Sequence, residues 1–99
     1  MTISEISFFA DLEEIVKDRI GNPSDDSYTA QLMRAGSKRI AQKVGEEGVE
    51  LALAAATGDV DEVIDEAADL MYHLIVLLAD QGLDLATIAS RLRTRHSAS

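Results

Sequence analysis

The sequence predicts an all-α fold. Apolar residues recur at helical spacing along nearly the whole chain, and no stretch alternates apolar and polar residues between turn signals. Glycine, proline and capping residues divide the chain into five segments, two of them long and separated by only two residues. An αα-hairpin is therefore expected at the centre of a helical bundle.

The first helix is expected from about Ser4 to Ile20, with Phe8, Leu12 and Ile15 on one face and Phe9 and Val16 beside it; Gly21-Asn22-Pro23 ends it. NPSDDS is a loop by composition, and Ser27 is a suitable N-cap for a short helix from Tyr28 to Ala35 closed by Gly36. Ser37 can cap a third helix running from about Lys38 to Thr57 and stopped by Gly58. Asp59 with Glu62 resembles a capping box for a fourth, running to Gln81 with Gly82 beyond it. Asp84 can cap a last helix carrying Leu85, Ile88 and Leu92, and the tail RTRHSAS is expected to fray. One domain should fill residues 1–99, with its core in about 5–95 and a frayed end at 96–99.

A chain of 99 residues has a modest core, which a second copy would complete. The absence of cysteine excludes a disulfide framework, thiolate zinc sites and a cysteine nucleophile, and fits a reducing compartment. The N-terminal stretch has neither a basic flank nor a sustained apolar run, so it is not read as a signal peptide. LMYHLIVLLA at 70–79 is too short to span a bilayer and contains His73. A soluble, cytoplasmic protein with no membrane partner is expected.

The net charge of -9 argues against a nucleic-acid partner. Its distribution is uneven. From Val44 to Ser90 there are eleven acidic residues and no Lys or Arg, whereas Arg34, Lys38, Arg39 and Lys43 precede that segment within ten positions. A polyanionic ligand bridged by cations would suit such a boundary; a polarised surface without function is the alternative that charge layout alone favours.

KVGEEGVELALAA, residues 43–55, sets Glu46, Glu47 and Glu50 into an otherwise apolar helix. Helical geometry puts Lys43, Glu46, Glu47 and Glu50 on one arc, flanked by Val49 and Leu53 on one side and by Ile40, Val44 and Leu51 on the other. On the next helix Glu62, Glu66, Asp69 and His73 form a second stripe, which the hairpin can turn toward the first. Like charges this close repel, by roughly 3 kcal/mol per pair at about 6 Å and an effective dielectric near 20, so something must compensate them. Glu47 and Glu50 with Glu66 and Asp69 give hard oxygen ligands at i, i+3, and Mg²⁺ is the natural guest. A di-iron site is the nearest rival, but it would want Glu-x-x-His pairs, and here position 69 is Asp and His73 lies four further on. Either half-motif alone is also an ordinary solvated acidic face. Gly45 and Gly48 cost about 1 kcal/mol each in a helix; they either admit a neighbouring backbone or are simply tolerated. His73 is read first as a wall histidine, and Lys43 either neutralises its acidic neighbours or contacts a phosphate.

SYTAQL, GSKRIAQKVGEEGVELALAA and DEAADLMYHLIVLL, in that order and spacing, closely resemble the phosphoribosyl-ATP pyrophosphatase family of MazG-like all-α nucleotide pyrophosphohydrolases. The superfamily's mark, Glu-Glu-x-x-Glu followed by Glu-x-x-Asp, stands here as Glu46-Glu47-x-x-Glu50 and Glu66-x-x-Asp69, and the resemblance covers about residues 5–95. It implies Mg²⁺-dependent hydrolysis of phosphoribosyl-ATP to phosphoribosyl-AMP and pyrophosphate, the second step of histidine biosynthesis, by a homodimer or larger homo-oligomer. A related enzyme acting on stray nucleoside triphosphates and a non-catalytic acidic interaction module are the other readings. In many bacteria the domain is fused behind a cyclohydrolase, for which this chain has neither length nor cysteines, so a stand-alone form is expected.

The resemblance implies that Glu47, Glu50, Glu66 and Asp69 hold Mg²⁺ against the triphosphate while reaction occurs between the α and β phosphates. Glu46 and Glu47 are the acids placed at the chemistry, with Glu46 either orienting the attacking water or holding a second ion. Lys38, Arg39 and Lys43, with Arg34, would bind phosphates; Ser27, Tyr28 and Thr29 of the SYTA block would touch substrate. Asp25 and Asp26 beside that block are a departure, since negative charge there opposes a polyphosphate.

Overall fold

The computed structural model describes residues 3–22, 24 and 27–97; Asp25, Asp26 and the last two residues of the tail lie outside them. Five helices follow one another, α1 (Ile3–Gly21), α2 (Tyr28–Ala35), α3 (Ser37–Thr57), α4 (Val60–Asp80) and α5 (Leu85–His96), with no strand among the described residues. The all-α expectation holds.

The antiparallel α3–α4 pair is the spine. Its turn needs Gly58, which adopts φ 80° and donates its backbone N–H to Ala54 O, a left-handed helix ending that a side chain would strain. Asp59 then caps α4, accepting from Glu62 N at 3.1 Å. Asp84 caps α5 in the same way, and its bonds from the Thr87 hydroxyl and backbone N–H hold its carboxyl below the usual range. Ser27 caps α2 as expected. Ser37 does not cap α3. It is the first helical residue, Gly36 occupies the cap position, and the Ser37 hydroxyl instead donates to Asp80 Oδ2 at 2.7 Å, tying the start of α3 to the end of α4.

The core lies at that end of the hairpin. Val16, Leu32, Ile40, Ile75 and Val76 are fully or nearly buried, with Leu12, Ile20, Met33, Tyr72, Leu77 and Leu85 packed against them. In α1 the buried stripe is Leu12–Val16–Ile20, at i, i+4, i+8, rather than the expected Phe8–Leu12–Ile15 face; Phe8 is 52% and Ile15 41% exposed. Toward Gly58 the hairpin is only two helices thick, and Val49, Leu53, Val60 and Ile64 are exposed there.

One further expectation is corrected. The tail is helical through His96 instead of fraying at Arg93, because Asp84 nucleates α5 and basic residues occupy its last turn, where they complement the helix dipole. The helix turns 101° from α4 and buries none of its residues; a 2.7 Å bond from Leu85 N to Glu13 Oε2 pins its start to α1. Ile75 and Leu78 are buried within the single chain. No single helix among the described residues is long and apolar enough to cross a membrane.

Candidate active site

The hairpin does bring the two acidic stripes together. Ligand oxygens of Glu47, Glu66 and Asp69 all lie within 4.8 Å of one another. Glu47 is 5% exposed, Glu66 is half-buried and Asp69 opens to solvent, so the cluster runs from interior to surface. Glu50 is exposed and stands beside Glu66; with it, Leu53, Ala54, Thr57 and Glu62 it lines a groove of about 230 Å³ that continues toward the Gly58 turn.

Two of these oxygens are electrostatically anomalous. Glu47 Oε2 and Glu66 Oε2 are buried with no hydrogen-bond partner among the described residues. Burying an ionised carboxylate oxygen without a donor or cation costs several kcal/mol, so such atoms capture a proton or a cation. The proton solution is visible in Glu66. A hydrogen bond with Glu50, burial, the Glu50 charge and then Glu47 raise its pKa from 4.5 to about 7. The other solution is a hard cation, which the gathered oxygens of Glu47, Glu66 and Asp69 could hold.

Glu46 is turned the other way. It accepts from Gln42 Nε2 at 3.0 Å and faces Lys43 at 3.8 Å and Arg39 at 3.9 Å, outside the three-acid cluster. Lys43 bridges the two environments, because its Nζ is also 3.4 Å from Glu47 Oε1. Burial works against the charge on Lys43, but the hydrogen bond with Glu47 and its proximity to Tyr28, Glu47 and Glu46 outweigh it and raise the pKa above the ordinary lysine value. Lys38 and Arg39 are exposed on the first turns of α3, and Arg34 is exposed in the last turn of α2.

The SYTA residues are engaged in structure. The Ser27 hydroxyl accepts from Ala30 N; Thr29 is 5% exposed and shares a short hydrogen bond with the Tyr72 hydroxyl. Tyr28 is 46% exposed while its hydroxyl meets His73 Nε2 at 3.0 Å. Tyr72 was not legible as a site neighbour: its meeting with Thr29 depends on how α2 lies across α4, and the sequence carries no signal for that register. Gly45 and Gly48 admit no close neighbour, since a methyl at either would meet nothing within 4 Å.

These features define an all-α protein whose carboxylate cluster could hold a metal ion, with lysine and arginine side chains alongside it. Comparison with known proteins agrees. The family profile for phosphoribosyl-ATP pyrophosphohydrolase matches residues 9–96. The chain is 56% identical to the histidine biosynthesis bifunctional protein HisIE of Yersinia pestis over 94% of its own length and 46% of that protein. The corresponding figures are 57%, 90% and 44% for HisIE of Escherichia coli K12, and 54%, 96% and 46% for HisIE of Campylobacter jejuni. The chain thus spans a little under half the length of these curated relatives. It belongs to the phosphoribosyl-ATP pyrophosphohydrolase family.

Proposed function

We propose that the chain hydrolyses phosphoribosyl-ATP to phosphoribosyl-AMP and pyrophosphate in a Mg²⁺-dependent reaction, the second step of histidine biosynthesis. The observation that carries the metal is the pair of buried, unpartnered oxygens on Glu47 and Glu66, gathered with Asp69 in a chain of this family. Glu47, Glu66 and Asp69 would hold the ion, with Glu50 completing the set from the groove side. Mg²⁺ supplies neutralisation of phosphate charge and a lowered pKa for coordinated water. Lys43, whose Nζ is 3.4 Å from Glu47 Oε1, sits where it can bind the reacting phosphates. Glu46, restrained by Gln42, Lys43 and Arg39, orients water from outside the ion cluster or serves a second ion. Lys38, Arg39 and Arg34 form the cationic rim, and the exposed face of Tyr28 is the substrate contact that the SYTA block leaves available.

A single domain acting as a homodimer in the cytoplasm completes the reading. Support for the dimer comes from the two-helix end of the hairpin, where Val49, Leu53, Val60 and Ile64 need cover, and from α5. An isolated helix of 12 residues is marginal in water, yet α5 leaves Ile88 and Leu92 exposed, and Arg91, Arg93 and Arg95 make no ion pair among the described residues. The acid-rich surface and net charge of -9 leave no footprint for nucleic acid.

The test is pyrophosphate release from phosphoribosyl-ATP, ATP and dCTP, each with Mg²⁺ and with EDTA. Release in 1:1 ratio with phosphoribosyl-AMP, from the first substrate and only with Mg²⁺, is expected. Equal rates on all three would move the reading to a general nucleoside triphosphate pyrophosphohydrolase, and no release from any would leave a non-catalytic module.

A further inference from the structure

The acid cluster accounts for neither His73 nor the bonds that fasten α2 to α4. His73 is 6% exposed, and its two ring nitrogens have different partners. Nδ1 lies 2.9 Å from the backbone oxygen of Asp69, which can only accept, so Nδ1 carries the proton. Nε2 shares a 3.0 Å hydrogen bond with the Tyr28 hydroxyl. Edge-on packing against the rings of Tyr28 and Tyr72, with centroids at 5.8 and 5.2 Å, fixes the imidazole plane. The same Nδ1 is 3.8 Å from Glu47 Oε1. One residue along each helix, Thr29 and Tyr72 make a second hydrogen bond between α2 and α4.

We infer that His73 is a positioning residue that transmits the seat of α2 to the acid cluster: Tyr28 orients the imidazole, and the imidazole holds the Asp69 turn and one wall of Glu47. The inference rests on the reading of Glu47, Glu66 and Asp69 as ion ligands and deepens it. Helix α2 has eight residues, too few to hold its place by helical propensity. The Tyr28–His73 and Thr29–Tyr72 bonds, burial of Ala30 and Leu32, and packing against α1 and α3 hold it over the site. A ligand that rests on the exposed face of Tyr28 would act on the same hydroxyl that orients His73, so substrate binding and ion geometry share one link. Outer groups that orient ligands in this way are worth roughly 10–100-fold in metal affinity.

The experiment measures Mg²⁺ affinity without substrate, from the Mg²⁺ concentration that half-saturates the rise in melting temperature, and in parallel the Mg²⁺ needed for half-maximal pyrophosphate release. Tyr28→Phe removes only the hydroxyl. His73→Asn keeps a donor near the Nδ1 position and loses the reach to Tyr28, whereas His73→Gln keeps the reach and loses the Nδ1 donor. Tyr28→Phe and His73→Asn are expected to weaken Mg²⁺ by about the same factor, on the order of tenfold, and the double variant to be no worse than either single, because both break one link. His73→Gln should weaken it further while keeping a measurable dependence on Tyr28. If Tyr28→Phe, which retains the ring and its packing, binds Mg²⁺ as the wild type does and merely melts earlier, His73 is only a wall residue and the inference is overturned. Additive losses in the double variant would overturn it too. The ligand reading fails separately: Glu66→Gln would then keep the wild-type Mg²⁺ response.

Discussion

Glu47 on α3 and Glu66 on α4 each bury a carboxylate oxygen with no hydrogen-bond partner among the described residues, and ligand atoms of the two side chains lie within 4.8 Å of each other and of Asp69. Neighbouring anions under a shared cover are stable only with a proton or a cation between them. Protonation and fold stability therefore meet in one small group of atoms, which could also hold a metal ion.

The first expectation follows from Glu66, raised to about 7 from 4.5. In the metal-free protein the folded state keeps this proton over a range where the unfolded chain has lost it. The contribution to stability is full below about pH 4.5 and is lost as pH rises through about 7. Melting temperature in EDTA should fall between pH 5 and pH 8 by more in the wild type than in Glu66→Gln. Mg²⁺ needs the ionised form, so binding below about pH 7 should release a proton, seen by calorimetry in buffers of different ionisation enthalpy. Equal pH slopes and no proton release would remove Glu66 from the site.

Carboxamide replacements separate charge from packing. Glu47→Gln and Glu66→Gln should retain helical circular dichroism, hold or raise the metal-free melting temperature by relieving repulsion, and lower turnover by more than about 100-fold. Glu46→Gln should retain Mg²⁺ binding, since Glu46 faces Lys43 and Arg39 instead of the cluster. A Glu46→Gln variant that loses Mg²⁺ while Glu66→Gln keeps it would reverse the assignment.

Substrate choice is expected to divide the cations. Phosphoribosyl-ATP carries a phosphate on its second ribose, remote from the reacting triphosphate. Lys43, 3.4 Å from Glu47, would stand at the reacting end on the proposed reading, and Lys38 and Arg39 lie nearer the start of α3. Lys43→Ala should lower kcat/KM on phosphoribosyl-ATP and on slow ATP hydrolysis alike, whereas Lys38→Ala or Arg39→Ala should affect chiefly the former. The same loss factor in all three variants on both substrates would show that the cluster does not discriminate.

Association is expected to depend on the thin end of the hairpin. Wild-type protein should sediment as a dimer at micromolar concentration, and Val49→Asp or Ile64→Asp should give a monomer, because both apolar side chains are about 60% exposed in the single chain. A wild-type monomer would refute the dimer.

Gly45 sits inside α3 with open space where a methyl would go. Gly45→Ala should stabilise the fold by about 0.5–1 kcal/mol, a rise of a few degrees in melting temperature. A loss of stability would mean that a second copy approaches α3 closely there.

Helix periods and caps made the five elements legible, and the two-residue Gly58-Asp59 turn fixed which acidic stripes could meet. The convergence of Glu47, Glu66 and Asp69 was readable for that reason. Glu46 was not separable from Glu47 in the sequence, because adjacent residues differ by about 100° around a helix and only the packing angle decides which one points inward. The burial of α1 shows the same limit. Phe8, Leu12 and Ile15 and the stripe Leu12–Val16–Ile20 are both helical faces, and the choice between them belongs to α2 and α4, which pack on that side. The Tyr28–His73 and Thr29–Tyr72 bonds join residues more than 40 apart in sequence, and no local pattern announces them.

The central claim is that Glu47, Glu66 and Asp69 form one ion site, and counting bound Mn²⁺ by electron paramagnetic resonance tests it most directly. Wild-type protein at pH 8 should bind Mn²⁺ in a form that Mg²⁺ displaces, and Glu47→Gln and Glu66→Gln should lose that signal while keeping the helical spectrum. Undiminished, Mg²⁺-displaceable Mn²⁺ binding in both variants would contradict the claim.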